Sequence, residues 1–336
     1  MIIDCHGHYT TEPDGFLNFR KEQLSSVSSK ENFDGAELIA NISDDEMKEK
    51  LEGAQLRLQK ERGTNLTIFS PRASGMGHHL GTEKTGYVWT RLCNDMVRRV
   101  CDIYPDNFVP VCQLPQHPGV NPKNCILELE RCVKEMGFIG CNLSPDPSGG
   151  MWTDPPMTDE WWFPLYEKIE ELDVPVMIHV SGSCNPNFHH TGAHYLCADT
   201  AVFMQLLLSD LFGRFPRLRF IIPHGGGAVP YHWGRYRGLA QDLGRPPLDE
   251  LLLDNVFFDT CVYHQAGIDL MTSVIPTKNI LFASEMVGAV KGIDPETGFH
   301  FDHTKRYIDN TPHLDENGRK MIFEKNIRRV FPRLEI

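Results

Sequence analysis

The chain has no apolar run near the roughly 20 residues needed to span a bilayer, which argues against a transmembrane helix. It has no Gly/Ser linker, no low-complexity block and no internal repeat, so nothing marks a domain boundary or a solenoid. It also has no basic excess. Lys plus Arg total 33 against 45 acidic residues, a net charge of −12. Nucleic acid and anionic lipid both need a basic face, so neither is expected as a partner. No Gly-x-Gly-x-x-Gly follows the first apolar run, which removes the fingerprint of a dinucleotide fold. None of the ten cysteines forms a Cys-x-x-Cys pair; Cys5, Cys112 and Cys141 lie inside apolar runs, as buried thiols do. The opening MIIDCHGH lacks a basic segment and a cleavable apolar stretch. Reduced cysteines in a cytoplasmic protein are the expectation.

What is present is an alternation. Strands are predicted at 2–5, 65–70, 108–113, 138–143, 174–179, 219–223, 255–259 and 279–283. Helices are predicted at 45–61, 89–103, 123–136, 159–172, 200–215, 234–242, 266–274 and 319–330. Eight strands alternating with helices predict a parallel sheet with helical crossovers, and eight is the number that closes a (β/α)8 TIM barrel. At 336 residues the whole chain, 1–336, fits one such barrel domain. The long connections follow strand 1 (to about Ser43), strand 4 (144–158) and strand 8 (285–318). All lie at the C-terminal ends of strands, where barrel enzymes build their sites.

Those strand ends carry the chemistry. Strand 1 runs into Asp4-Cys5-His6-Gly7-His8, and two histidines two residues apart on a strand point to one side. Strand 5 ends in His179, strand 6 in His224 before Gly225-Gly226-Gly227, and strand 8 in Glu285. A histidine after an apolar run is by itself an ordinary half-buried residue. Four strand ends bearing such residues at one mouth are a candidate metal centre. Three imidazoles and a carboxylate suit Zn2+, with Mn2+, Fe2+ or Co2+ possible. Gly182 and Gly225 suggest backbone open to a substrate.

Arg72 follows strand 2 and can grip a carboxylate bidentately. Asn185, His189 and Tyr195 lie in a donor-rich segment after His179, and Arg235 follows the glycine turn; these are further substrate-binding candidates. Asp259 is placed to accept from a ligand histidine. Blander readings suit Trp161-Trp162-Phe163 as helix packing and His78-His79 as a solvated loop.

The segments MIIDCHGH, VPVMIHVSG, FIIPHGGG and NILFASE, with the closing Asn326-Ile-Arg-Arg-Val-Phe-Pro332, resemble the strand-end motifs and last helix of the amidohydrolase superfamily. They are most similar to its branch around aminocarboxymuconate-semialdehyde decarboxylase. The resemblance spans essentially the full length. It implies a distorted (β/α)8 barrel, with His6, His8 and His179 as metal ligands and His224 as an acid/base histidine. The branch usually ends strand 8 in Ser-Asp, whereas this chain has Ser284-Glu285. That Glu could bind the metal or hold its water, and it makes Glu285 a second catalytic candidate. With the loop Pro71-Arg72-Ala73-Ser74-Gly75-Met76 it resembles the 4-oxalomesaconate hydratases of protocatechuate and gallate breakdown. This implies a zinc-dependent hydratase acting on a small anionic polycarboxylate, and a homodimer. A decarboxylase or hydrolase of a related ring-cleavage acid is the alternative on the same scaffold, since a metal-activated water alone does not choose among these reactions.

Overall fold

The computed structural model describes residues 1–27, 37, 41–188, 192–252 and 254–335. Among these residues nine short parallel strands run in chain order: β1 (Ile3–Tyr9), β2 (Leu66–Pro71), β3 (Phe108–Pro110), β4 (Cys112–Gln113), β5 (Cys141–Leu143), β6 (Val176–Ile178), β7 (Phe220–Ile222), β8 (Val256–Asp259) and β9 (Ile280–Leu281). Each pairs in parallel with the next along β1–β3 and along β4–β9. Almost every strand position is buried, because both faces are covered.

The expected strand at 108–113 is divided. Pro110 has no N–H to give a ladder, and the chain changes partners there. Residues 108–110 pair with β2, and 112–113 pair with β5. Val111 N–H donates to Phe69 C=O at 2.8 Å, bridging the two sheets. At the other seam, Cys5 N–H donates to Phe282 C=O and Glu285 N–H to His6 C=O, both at 2.9 Å. These bonds join the end of the chain of strands to its beginning, and the fold is of the (β/α)8 TIM-barrel type.

Several helix expectations change. The expected helix at 45–61 is two, Asp44–Gly53 and Gln55–Glu61, broken at Ala54, whose φ of −134° and ψ of −90° are non-helical. The long connection after β1 holds an unexpected helix, Asp14–Ser26. The helix expected from 200 begins at Gly192 and ends at Leu208. The helix expected from Trp89 starts at Glu83, where Thr82 and Thr85 form a reciprocal capping box. Trp162 is fully buried against Tyr166, so that aromatic run packs a helix as expected. His78 is not solvated: it is buried, and that burial lowers its pKa to about 3. No helix among the described residues is long and apolar enough to cross a membrane.

Candidate metal centre and substrate cavity

β1 sets the first two side chains. Alternation along the strand sends His6 and His8 to one side and Gly7 to the other. A Cβ on Gly7 would lie 2.3 Å from Thr67 Cγ2, so only glycine lets β1 approach β2 this closely. The pairing register shifts between Asp4 and Gly7. Asp4 secures this bend: one carboxylate oxygen accepts from His6 N–H at 3.0 Å and Ser284 N–H at 3.1 Å, and the other accepts from the Ser284 hydroxyl. Desolvation pushes Asp4 up to about 6, against these hydrogen bonds.

Three imidazoles converge. The Nε2 atoms of His6 and His8 lie 3.0 Å apart, those of His8 and His179 also 3.0 Å, and those of His179 and His6 3.2 Å. Each Nδ1 is occupied elsewhere: His6 with the Asp259 carboxylate at 2.7 Å, His8 with the Ser70 hydroxyl at 2.7 Å, His179 with the Val180 carbonyl at 2.9 Å. The Ser70 hydroxyl itself donates to Gly7 C=O, so it accepts from His8. All three rings then carry their proton on Nδ1 and turn Nε2 lone pairs toward one another. Lone pairs so close repel unless a cation lies between them. The spacing suits a shared ion, since Zn–N bonds of about 2.0–2.1 Å put neighbouring nitrogens roughly 3 Å apart. Burial and the neighbouring rings hold His8 and His179 well below the usual imidazole range. Burial also works against a charge on His6, but Asp259 outweighs it and raises that ring. Asp259 therefore stands where the sequence placed it, behind a histidine of the cluster.

His6, His179, His224 and Glu285 each bring one ligand-capable atom within 4.8 Å of the others, all buried. His224 adopts φ +54° and Glu285 φ +47°, left-handed conformations that cost a non-glycine residue energy. Glu285 Oε2 accepts from the Tyr263 hydroxyl at 3.0 Å and lies 3.9 Å from His224 Nε2. His224 Nδ1 is 2.8 Å from Asp199, its Nε2 is buried without a hydrogen-bond partner among the described residues, and its ring stacks on Tyr195 at 4.2 Å. Burial lowers His224 to about 4, so the imidazole is neutral at pH 7. The glycines after it are not open backbone. A Cβ on Gly225 would meet Val262 at 2.5 Å and one on Gly226 would meet Phe258 at 2.6 Å.

A cavity of about 250 Å3 opens over this cluster, lined among others by His8, His179, Glu285, Tyr195, Arg72 and Lys291. Arg72 and Tyr195 thus lie where the sequence reading put them. Two other candidates do not. Asn185 donates to Gly150 C=O at 2.7 Å and ties two loops together rather than lining the cavity. Arg235 is exposed on the helix Trp233–Asp242 and also stays outside the lining, because the glycine turn carries that helix away. His189 falls outside the described residues. Lys291, Tyr263 and Asp199 were not foreseen. Lys291 sits in the long connection after β9, which the sequence marked as a loop at the barrel mouth without singling out the lysine; Asp199 and Tyr263 follow no spacing rule.

A buried group of three imidazoles and a carboxylate, backed by acceptors and opening to a cavity that presents Arg72 and Lys291, can hold a divalent metal and deliver proton transfer beside it. The comparisons agree in kind. The amidohydrolase family model matches residues 3–333. The 2-keto-4-carboxy-3-hexenedioate hydratase of Sphingobium sp. is 59% identical over 335 residues, covering 100% of this chain and 97% of that protein. The crystal structure of 4-oxalomesaconate hydratase from Rhodopseudomonas palustris superposes with a TM-score of 0.91 at 53% identity, covering 99% of this chain and 96% of that one. A gamma-resorcylate decarboxylase of Rhizobium sp. is 27% identical over 294 residues, 84% of this chain and 87% of that protein. From Ile3 to Arg333, this chain belongs to the amidohydrolase family.

Proposed function

We propose that this chain is a metal-dependent hydratase. Its substrate is an unsaturated keto tricarboxylic acid, 4-oxalomesaconate or its enol tautomer, and its product is 4-carboxy-4-hydroxy-2-oxoadipate. The observation that carries the reading is the convergence of three Nε2 atoms beside a cavity that also presents Arg72 and Lys291. The hydratase at 59% identity over the full length favours hydration among the reactions such a site supports.

His6, His8, His179 and Glu285 are the proposed ligand set, with Zn2+ as the proposed metal and Mn2+, Fe2+ or Co2+ as fitting alternatives. A divalent ion bound there supplies Lewis acidity and a water acidic enough to ionise near neutral pH. The Glu285 carboxylate, steadied by Tyr263, is the proposed acceptor of a water proton. His224, whose Nε2 makes no hydrogen bond among the described residues and lies 3.9 Å from Glu285 Oε2, relays that proton from Glu285 to the carbon next to the one hydrated. Arg72 and Lys291 neutralise substrate carboxylates. The same reading takes residues 1–336 as one catalytic domain, acting in a reducing cytoplasm as a homodimer.

The test is metal analysis of the purified protein followed by a spectrophotometric screen of ring-cleavage acids. The expected result is about one divalent ion per chain and loss of the conjugated keto-ene absorbance without gas release. Release of CO2 from the same acids identifies a decarboxylase instead.

A further inference from the structure

Behind the cavity lining, Arg72 meets a buried acid. Glu12 Oε2 lies 3.1 Å from Arg72 Nη1, with the Glu12 side chain 5% and that of Arg72 35% exposed. The corner around them is poorly satisfied. Tyr9 Oη, Thr10 Oγ1 and Arg72 Nε are shielded from solvent and make no hydrogen bond among the described residues. Thr10 and Arg72 both line the cavity. The charged and titratable groups around Glu12 are Arg72 and Lys291 from the cavity, Tyr9 from β1, Cys93 from the helix Glu83–Ile103 and Lys50 from the helix Asp44–Gly53, whose Nζ donates to the Glu12 carbonyl at 3.5 Å.

We propose that Glu12 is a positioning residue that holds the Arg72 guanidinium and takes up one proton when a substrate carboxylate docks on it. The inference rests on the polycarboxylate reading of the cavity. An incoming carboxylate replaces Glu12 as the counter-charge of Arg72. Two carboxylates sharing one guanidinium in a buried corner repel each other, and protonating Glu12 relieves that repulsion. The balance is one proton from solvent onto Glu12 for each carboxylate bound to Arg72, with no bond of the substrate broken. The direction suits the site: desolvation raises Glu12 to about 7 despite Arg72 and Lys291, so a proton is available to it at neutral pH.

The probe is propane-1,2,3-tricarboxylate, which has the three carboxylates but no C=C to hydrate. Its binding to the metal-loaded protein is measured by calorimetry at pH 7.5 in two buffers of different ionisation enthalpy. The wild type is expected to take up a substantial fraction of a proton, and less as the pH falls to 6. Glu12→Gln is expected to bind the probe with that uptake abolished. In turnover, the wild-type KM should rise severalfold from pH 6.5 to 8, while the variant's should stay flat. Binding with no uptake by the wild type, or with equal uptake by both proteins, overturns the inference and leaves the polycarboxylate reading standing. No binding by the wild type removes both.

Discussion

At the scale of single residues, the proposed chemistry separates into binding and proton transfer. Arg72 is the proposed anchor for a carboxylate, and losing that charge-assisted contact should cost roughly 2–4 kcal/mol. Arg72→Ala should therefore lower kcat/KM by roughly 30- to 900-fold while metal content stays normal. Steady-state kinetics with metal analysis checks this, and a change within about twofold would put Arg72 outside the productive pocket. His224 should behave differently. It makes no hydrogen bond through Nε2 among the described residues, and Asp199 and Tyr195 fix its ring. His224→Asn keeps a polar group of similar size without an imidazole's proton chemistry. The variant should keep its metal and its KM and lose on the order of 10²-fold in kcat. Loss of the metal instead would make His224 a ligand. Much of this scale was legible beforehand, because a side chain after an apolar strand must leave the barrel at its mouth. Lys291 was not legible. A cation in a long irregular connection carries no periodicity, and only the path of the chain over the cavity gives it a role.

At the scale of elements, the turn after β9 is the feature to test. It carries Glu285 at φ +47° and Val287 at φ +59°, so something must hold it in that shape. Asp302 does so. Its carboxylate accepts from Val287 N–H at 2.9 Å and from Arg62 at 2.8 Å, and both charged side chains are under a tenth exposed. Removing one partner of a buried pair typically costs about 3–5 kcal/mol. Asp302→Ala should fall in that range by urea denaturation and should also lower kcat, because Glu285 loses its support. Adding Arg62→Met removes the orphaned charge and should recover much of the stability but not the kcat. Recovery of both would show that Asp302 serves the fold alone. The misjudged elements share one cause. Ala54, Pro110 and the helix starting at Gly192 depend on which neighbour the backbone meets, a matter that windowed hydrophobic patterns do not contain.

For the whole molecule, burial of neutral histidines sets a pH dependence. The His78 pKa is about 3 in the folded chain against 6.5 in the unfolded one, chiefly through desolvation. Below pH 6.5 the unfolded chain binds a proton that the folded chain refuses, so stability falls as pH drops from 6.5 towards 3. At about 1.4 kcal/mol per pH unit, this one residue removes about 2 kcal/mol between pH 6.5 and 5. Urea denaturation of wild type and His78→Gln at pH 7 and 5 checks it. The acid loss should be smaller in the variant by about that amount, and equal losses would mean that His78 is protonated in the fold.

The sequence by itself determined the order of strands and helices, the polar residue at each critical strand end and the common side from which His6 and His8 emerge. These are local properties: a period of two along a strand and an apolar run ended by a ligand-type side chain. The tertiary structure decided the rest. It brought His6 within 3.2 Å of a nitrogen 173 residues away and within 2.7 Å of a carboxylate 253 residues away. It buried Glu12 behind Arg72 and passed over Asn185 and Arg235. Whether a polar side chain becomes a ligand, a support or a surface group depends on what meets it across the barrel mouth. Sheet register and loop path set those meetings, and neither is written in the residues nearby.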